Sequence, residues 1–132
     1  MARPKNEEQR TLTDTEIQIM NILWELKDGT VHDVLESLIC TQGKDYAYTT
    51  VSTLLRVLEK KGVVSSQKEG RGHRYSPTIP KEKYQKKAMD HLVDNVFSGR
   101  RTALIRNLLG SSKLTKEELA EVKELLNKEV QK

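Results

Sequence analysis

The chain is predicted to fold as a mainly α protein with one small β-hairpin. Two observations carry this. Three stretches with apolar residues at helical spacing precede residue 62, and three more follow residue 80. Between them the period drops to about two, over two short runs separated by Glu69-Gly70-Arg71-Gly72. A third observation sets the scale: 132 residues with 36% hydrophobic and 5% aromatic content can build one small aliphatic core and an appended helical element, not a multilayer enzyme.

The polar stretch 1–11 reads as a frayed tail without the apolar run of a signal peptide. Thr13-Asp14-Thr15-Glu16 is a capping box opening a first helix, whose stripe is Ile17, Met20, Leu23 and Trp24 and whose stop is Asp28-Gly29. Thr30, with Asp33 three positions on, caps a second helix of about nine residues with the stripe Val31, Val34, Leu35 and Leu38. Gln42-Gly43-Lys44-Asp45 forms the loop after it. A third helix runs from Tyr48 to Lys61 on the stripe Val51, Leu54, Leu55 and Leu58, and Gly62 supplies its left-handed cap. Val63–Lys68 and His73–Ser76 are the strands of the hairpin, which must pack on the helices to be stable. Lys81 to Phe97, with Tyr84, Ala88, Leu92 and Val96, forms a fourth helix broken by Ser98-Gly99. Arg101 to Leu109, ended by Gly110, forms a fifth, and Thr115-Lys116-Glu117-Glu118 caps a sixth.

Three helices followed by a hairpin is the order of a winged helix-turn-helix, predicted here over 12–80, in which the third helix enters the major groove and the hairpin is the wing. Charge supports a polyanion partner. Residues 12–43 hold one base and six acids, whereas residues 44–77 hold seven bases and three acids. Opposite its apolar stripe the third helix carries Thr49, Thr50, Ser52, Thr53 and Arg56. Hydroxyls and a guanidinium can read base edges, and threonine methyls can rest on thymine. On the wing, Lys68, Arg71, His73 and Arg74 are placed to hold phosphates, while Gly70 and Gly72 allow close backbone approach. Tyr46 completes the candidate DNA-contacting set. Tyr75 is expected to pack the hairpin on the third helix.

Residues 81–132 are too few for a core of their own, so their stripes are expected to pair with a second copy through Tyr84, Leu92, Val96, Phe97, Leu104, Leu108, Leu119, Val122 and Leu126. A homodimer would set two recognition helices on a pseudo-palindrome. The competing arrangement folds these helices back on their own winged domain. A winged-helix module for protein assembly is the alternative function. No carboxylate pair, nucleophile constellation, phosphate loop or metal signature argues for an enzyme, and neither a cofactor nor a metal is expected. Cys40, the one cysteine, forms no internal disulfide. His32, His73 and His91 are far apart in sequence. With no apolar run long enough to insert in a membrane, the expected location is the cytoplasm.

Leu12–Glu16, Met20–Trp24, the run Thr49–Gly62 and the spacing to Tyr75-Ser76-Pro77 resemble the penicillinase-repressor (BlaI/MecI) family of transcriptional regulators. The resemblance extends from Leu12 to Asn127. It implies a homodimeric repressor with an N-terminal winged helix and a C-terminal three-helix dimerisation segment, here 81–132. It places Thr50, Thr53 and their neighbours in the major groove of a double-stranded DNA operator. Positions that are basic in the antibiotic-resistance repressors are Thr49 and Ser52 here. In those repressors a membrane-bound sensor protease cuts an Asn-Phe bond, which corresponds to Asn107-Leu108. The copper-sensing branch, with paired C-terminal cysteines, does not fit a chain whose last cysteine is Cys40.

Overall fold

The computed structural model describes residues 12–43, 45–111 and 114–132; the tail expected over 1–11 and Lys44 of the expected loop lie outside the described residues. The described elements are α1 (Asp14–Leu26), β1 (Gly29–Thr30), α2 (Val31–Gln42), α3 (Tyr48–Lys60), β2 (Val64–Glu69), β3 (Gly72–Pro77), α4 (Lys81–Asn95), α5 (Arg101–Ser111) and α6 (Lys116–Val130). They divide into two compact units between Met89 and Asp90.

In the first unit, helix starts follow local chemistry. Thr13 Oγ1 accepts from the Glu16 N–H at 3.2 Å, while Glu16 Oε1 accepts from the Thr13 N–H at 2.7 Å. Thr30 and Asp33 repeat the reciprocal pair at the start of α2. The end of α1 differs from expectation. The helix stops at Leu26, and Lys27, not a glycine, takes the positive φ of 78° while its N–H bonds to Leu23 O. Gly29 instead enters β1, which pairs antiparallel with β3 through Gly29↔Tyr75 and Thr30↔Arg74. The expected hairpin is therefore the larger part of a three-stranded sheet, ordered β1-β3-β2. Helix α2 also runs longer than its stripe, to Gln42, where Gly43 turns left-handed at φ 64°.

The buried face of α1 is Ile19, Met20, Ile22 and Leu23, so the stripe is rotated from the one expected, leaving Ile17 and Trp24 half-buried. These side chains join Val31, Val34 and Leu38 of α2 and Val51, Leu55 and Leu58 of α3. Val63, Val64 and Tyr75 carry the sheet into the same core. Each such fully buried aliphatic side chain contributes about 1.5–3 kcal/mol of transfer free energy.

One buried ion pair latches the base of α1 to the end of α3. Lys61 Nζ lies 3.0 Å from Glu16 Oε1, and Glu16 is only 2% exposed. Burial alone would raise the Glu16 pKa. The Thr13 N–H, the Lys61 ammonium and the Thr13 hydroxyl together outweigh it and hold the carboxyl below its ordinary value.

Tyr84 also belongs to this unit. It is 9% exposed, with its ring centroid 5.6 Å from that of Trp24, whose Nε1 donates to Ile79 O at 2.9 Å. Its assignment to a dimer interface is thereby corrected: the start of α4 closes the winged-helix core.

In the second unit, Val93 is the one buried hydrophobic side chain among the described residues. Helix α5 continues through Gly110, where a stop was expected, to Ser111. Thr115 and Glu118 form the predicted capping box of α6. Leu108, Leu125 and Leu126, all 49–55% exposed, line an apolar groove of about 280 Å3 with Ile105, Leu109, Leu114 and Val122. Leu92, Val96 and Leu119 are likewise exposed, and Phe97 and Leu104 are half-buried.

Candidate nucleic-acid interface

Helix α3 takes its orientation from its buried stripe. With Val51, Leu55 and Leu58 fixed in the core, a 100° advance per residue puts Thr49, Thr53, Arg56 and Lys60 farthest from it. All four are exposed, as is Thr50 on one flank. Tyr48 and Ser52 occupy the other flank, toward the wing. Gly62, at φ 82°, then swings the chain out of the helix, and Val63 N donates to Leu58 O at 3.2 Å as β2 begins.

Between that flank and the hairpin lies a cleft of about 370 Å3. Its walls are Tyr48, Ser52, Arg56 and Glu59 from α3, Ser66, Gly72, His73 and Tyr75 from the sheet and Arg71 from the β2–β3 turn, with Val31. The Ser66 hydroxyl donates to the Glu59 carboxylate and ties the far end of α3 to β2. Tyr75 is buried, as expected of the residue that seats the hairpin. Burial, with the Glu59 charge second to it, pushes its phenol pKa up, so the hydroxyl stays a neutral donor. Chemically the surface offers hydroxyls, an aromatic ring and two guanidinium groups on adjoining walls.

The structure thus brings together Ser52, Arg56, Arg71 and His73, with Thr49, Thr50 and Thr53 on the adjacent outward face. Lys68 is exposed on β2 but does not line the cleft. Tyr46 is half-buried, packed against the core. Arg74 departs from its expected place. Its guanidinium is shared among Asp28 at 2.8 Å, Glu69 at 3.1 Å and Asp33 at 3.9 Å, so it is not a free cation at the wing tip. Two exposed residues of this helix, Tyr48 and Lys60, were not in the expected DNA-contacting set. Tyr48 is 53% exposed despite being aromatic. A helical projection centred on Val51, Leu55 and Leu58 sets Lys60 opposite the buried stripe, whereas Tyr48 lies on its flank and is exposed as the first residue of the helix.

Asn107 and Leu108 are exposed in α5, with Asn107 Nδ2 donating to Ala103 O at 3.2 Å. A protease acting on that bond would first have to open the helix locally. Among the described residues no group of three or more His, Cys, Asp or Glu side chains could hold a metal, and no helix is long and apolar enough to cross a membrane. Cys40 is a free, exposed thiol.

Comparison with known proteins bears on this geometry. The chain is 25% identical to the methicillin resistance regulatory protein MecI of Staphylococcus aureus strain N315 over 89% of its own length and 94% of that protein's. It is 26% identical to the penicillinase repressor of Bacillus licheniformis, covering 87% of this chain and 88% of that one. Among solved structures, H. salinarum RosR superposes with a TM-score of 0.53 at 16% identity, covering 92% of this chain and 96% of that one, a likeness of fold alone. The family model described as penicillinase repressor matches residues 12–128, and the chain therefore belongs to the penicillinase repressor (BlaI/MecI) family, winged-helix DNA-binding regulators of transcription rather than enzymes.

Proposed function

We propose that the protein is a sequence-specific repressor that binds a pseudo-palindromic operator as a homodimer. The observation that carries this reading is the outward row Thr49, Thr53 and Arg56 on a helix whose other side is locked in the core, beside a wing bearing Arg71 and His73. Hydroxyls and a guanidinium on a rigid helix read base edges. Cations on a hairpin flank the duplex and anchor phosphates. The homodimer is supported by the apolar groove of the second unit, whose leucines are exposed among the described residues of that unit.

The division of labour can be tested with two substitutions. Thr53→Ala should lower the ratio of specific to random-duplex affinity, with a loss on the order of 1–3 kcal/mol confined to the specific site. Arg71→Ala should weaken both kinds of duplex alike and reduce the slope of log K against log salt by about one. Fluorescence anisotropy across a salt series measures both. Indistinguishable profiles for the two variants would contradict the separation of base reading from phosphate anchoring.

A further inference from the structure

The wing joins the helical body by little backbone. Strand β1 contributes two residues, and its pairing with β3 consists of Gly29↔Tyr75 and Thr30↔Arg74. Across this short seam lies one side chain with three anionic partners from three elements. Arg74 Nη1 donates to Asp28 Oδ1 at 2.8 Å, in the turn after α1. Its Nε lies 3.2 Å from both carboxylate oxygens of Glu69 at the end of β2. Asp33 of α2 stands at 3.9 Å and is itself fixed, since its Oδ2 accepts from the Thr30 N–H at 3.0 Å. That N–H is the foremost cause holding the Asp33 pKa below its ordinary value, so Asp33 stays charged beside Arg74.

One cation among three carboxylates leaves a local surplus of negative charge. A DNA phosphate approaching Arg74 would have to displace its partners and would meet their repulsion. Arg71, three residues earlier, lines the cleft beside α3 instead.

We propose that Arg74 is a positioning residue: by clamping β3 to the α1–β1 turn and to α2 it sets where Arg71 and His73 stand relative to the recognition helix, without itself touching DNA. This deepens the DNA-binding reading and rests on it. Isolated exposed ion pairs contribute little, but a networked guanidinium across a two-residue seam fixes geometry that the backbone alone does not.

The test uses the full chain and the variants Arg71→Gln, Arg74→Gln and Arg74→Lys, with two readouts. The first is amide hydrogen exchange of β1 and β3 in the DNA-free protein. The second is affinity for a duplex selected by the wild type, measured from roughly 50 to 200 mM salt. Arg74→Gln is expected to speed exchange in β1 and β3 several-fold. It should also weaken duplex binding by about three- to tenfold while leaving the salt slope unchanged, whereas Arg71→Gln lowers that slope by about one. Arg74→Lys, a point charge without the planar fork, should restore only part of the affinity. A slope lowered by about one in Arg74→Gln, with exchange unaltered, would show that Arg74 leaves its carboxylates for a phosphate and would overturn the proposal. No change in either readout would overturn it as well. If the wild type retained no duplex at all, the DNA-binding reading would fail, while the exchange data would still decide whether Arg74 holds the wing.

Discussion

Replacing Leu126 by aspartate is expected to convert the protein to a monomer and to lower its affinity for a two-half-site duplex by about 10²–10⁴-fold. Leu126 is 50% exposed and lines the apolar groove with Leu108 and Leu125. A carboxylate there costs the single chain little, because water still reaches it. In a dimer the same carboxylate would be buried against leucines without a partner. The affinity loss follows from geometry, since two linked recognition helices bind as one and a lone one does not. The melting of the winged-helix unit should be unaffected, because Leu126 lies in the other unit. Sedimentation and duplex binding on the same preparation check both halves. A variant that still sediments as a dimer would place the interface elsewhere.

The second large effect concerns the base on which α3 rests. Leu55 is fully buried at the centre of that helix. Leu55→Ala removes three methyl or methylene-sized groups from a close-packed core and should cost about 2–5 kcal/mol. For a domain of this size the melting midpoint should fall by about 8 °C or more. Thr53→Ala, two residues away but exposed, should change stability by no more than about 0.5 kcal/mol. The contrast separates holding the helix from reading with it, and calorimetry on the two variants measures it. A midpoint shift in Thr53→Ala as large as that in Leu55→Ala would mean that the hydroxyl face is not solvent-facing.

What was legible in the sequence was what is decided locally. The three Thr–acid capping boxes at Thr13, Thr30 and Thr115 form as their spacing implies, because donor and acceptor lie within one turn. The stripe of α3 was legible because all four of its members, Val51, Leu54, Leu55 and Leu58, are bulky aliphatics at helical spacing, and three of them are buried. The face of α1 was less so. Apolar residues at 17, 19, 20, 22, 23, 24 and 26 surround much of that helix, and only packing against α2 and α3 selects Ile19 and Ile22 over Ile17. Strand β1 is two residues long and carries no alternation to detect. In α4 the four-residue rhythm of Tyr84, Ala88, Leu92 and Val96 misleads, since Tyr84 serves the first unit while the side chain buried in the second is Val93, outside that rhythm. The partners Asp28 and Asp33 of Arg74 lie more than forty positions earlier, so no local pattern could distinguish that arginine from Arg71.

The most direct measurement is selection from a randomised duplex pool by the full chain at physiological salt. Retained sequences should share an inverted repeat whose half-site centres are about 10–10.5 base pairs apart, or a multiple of that spacing. Recovery of sequences no different from the starting pool, or of single half-sites without their inverted partner, would contradict a paired, base-reading α3.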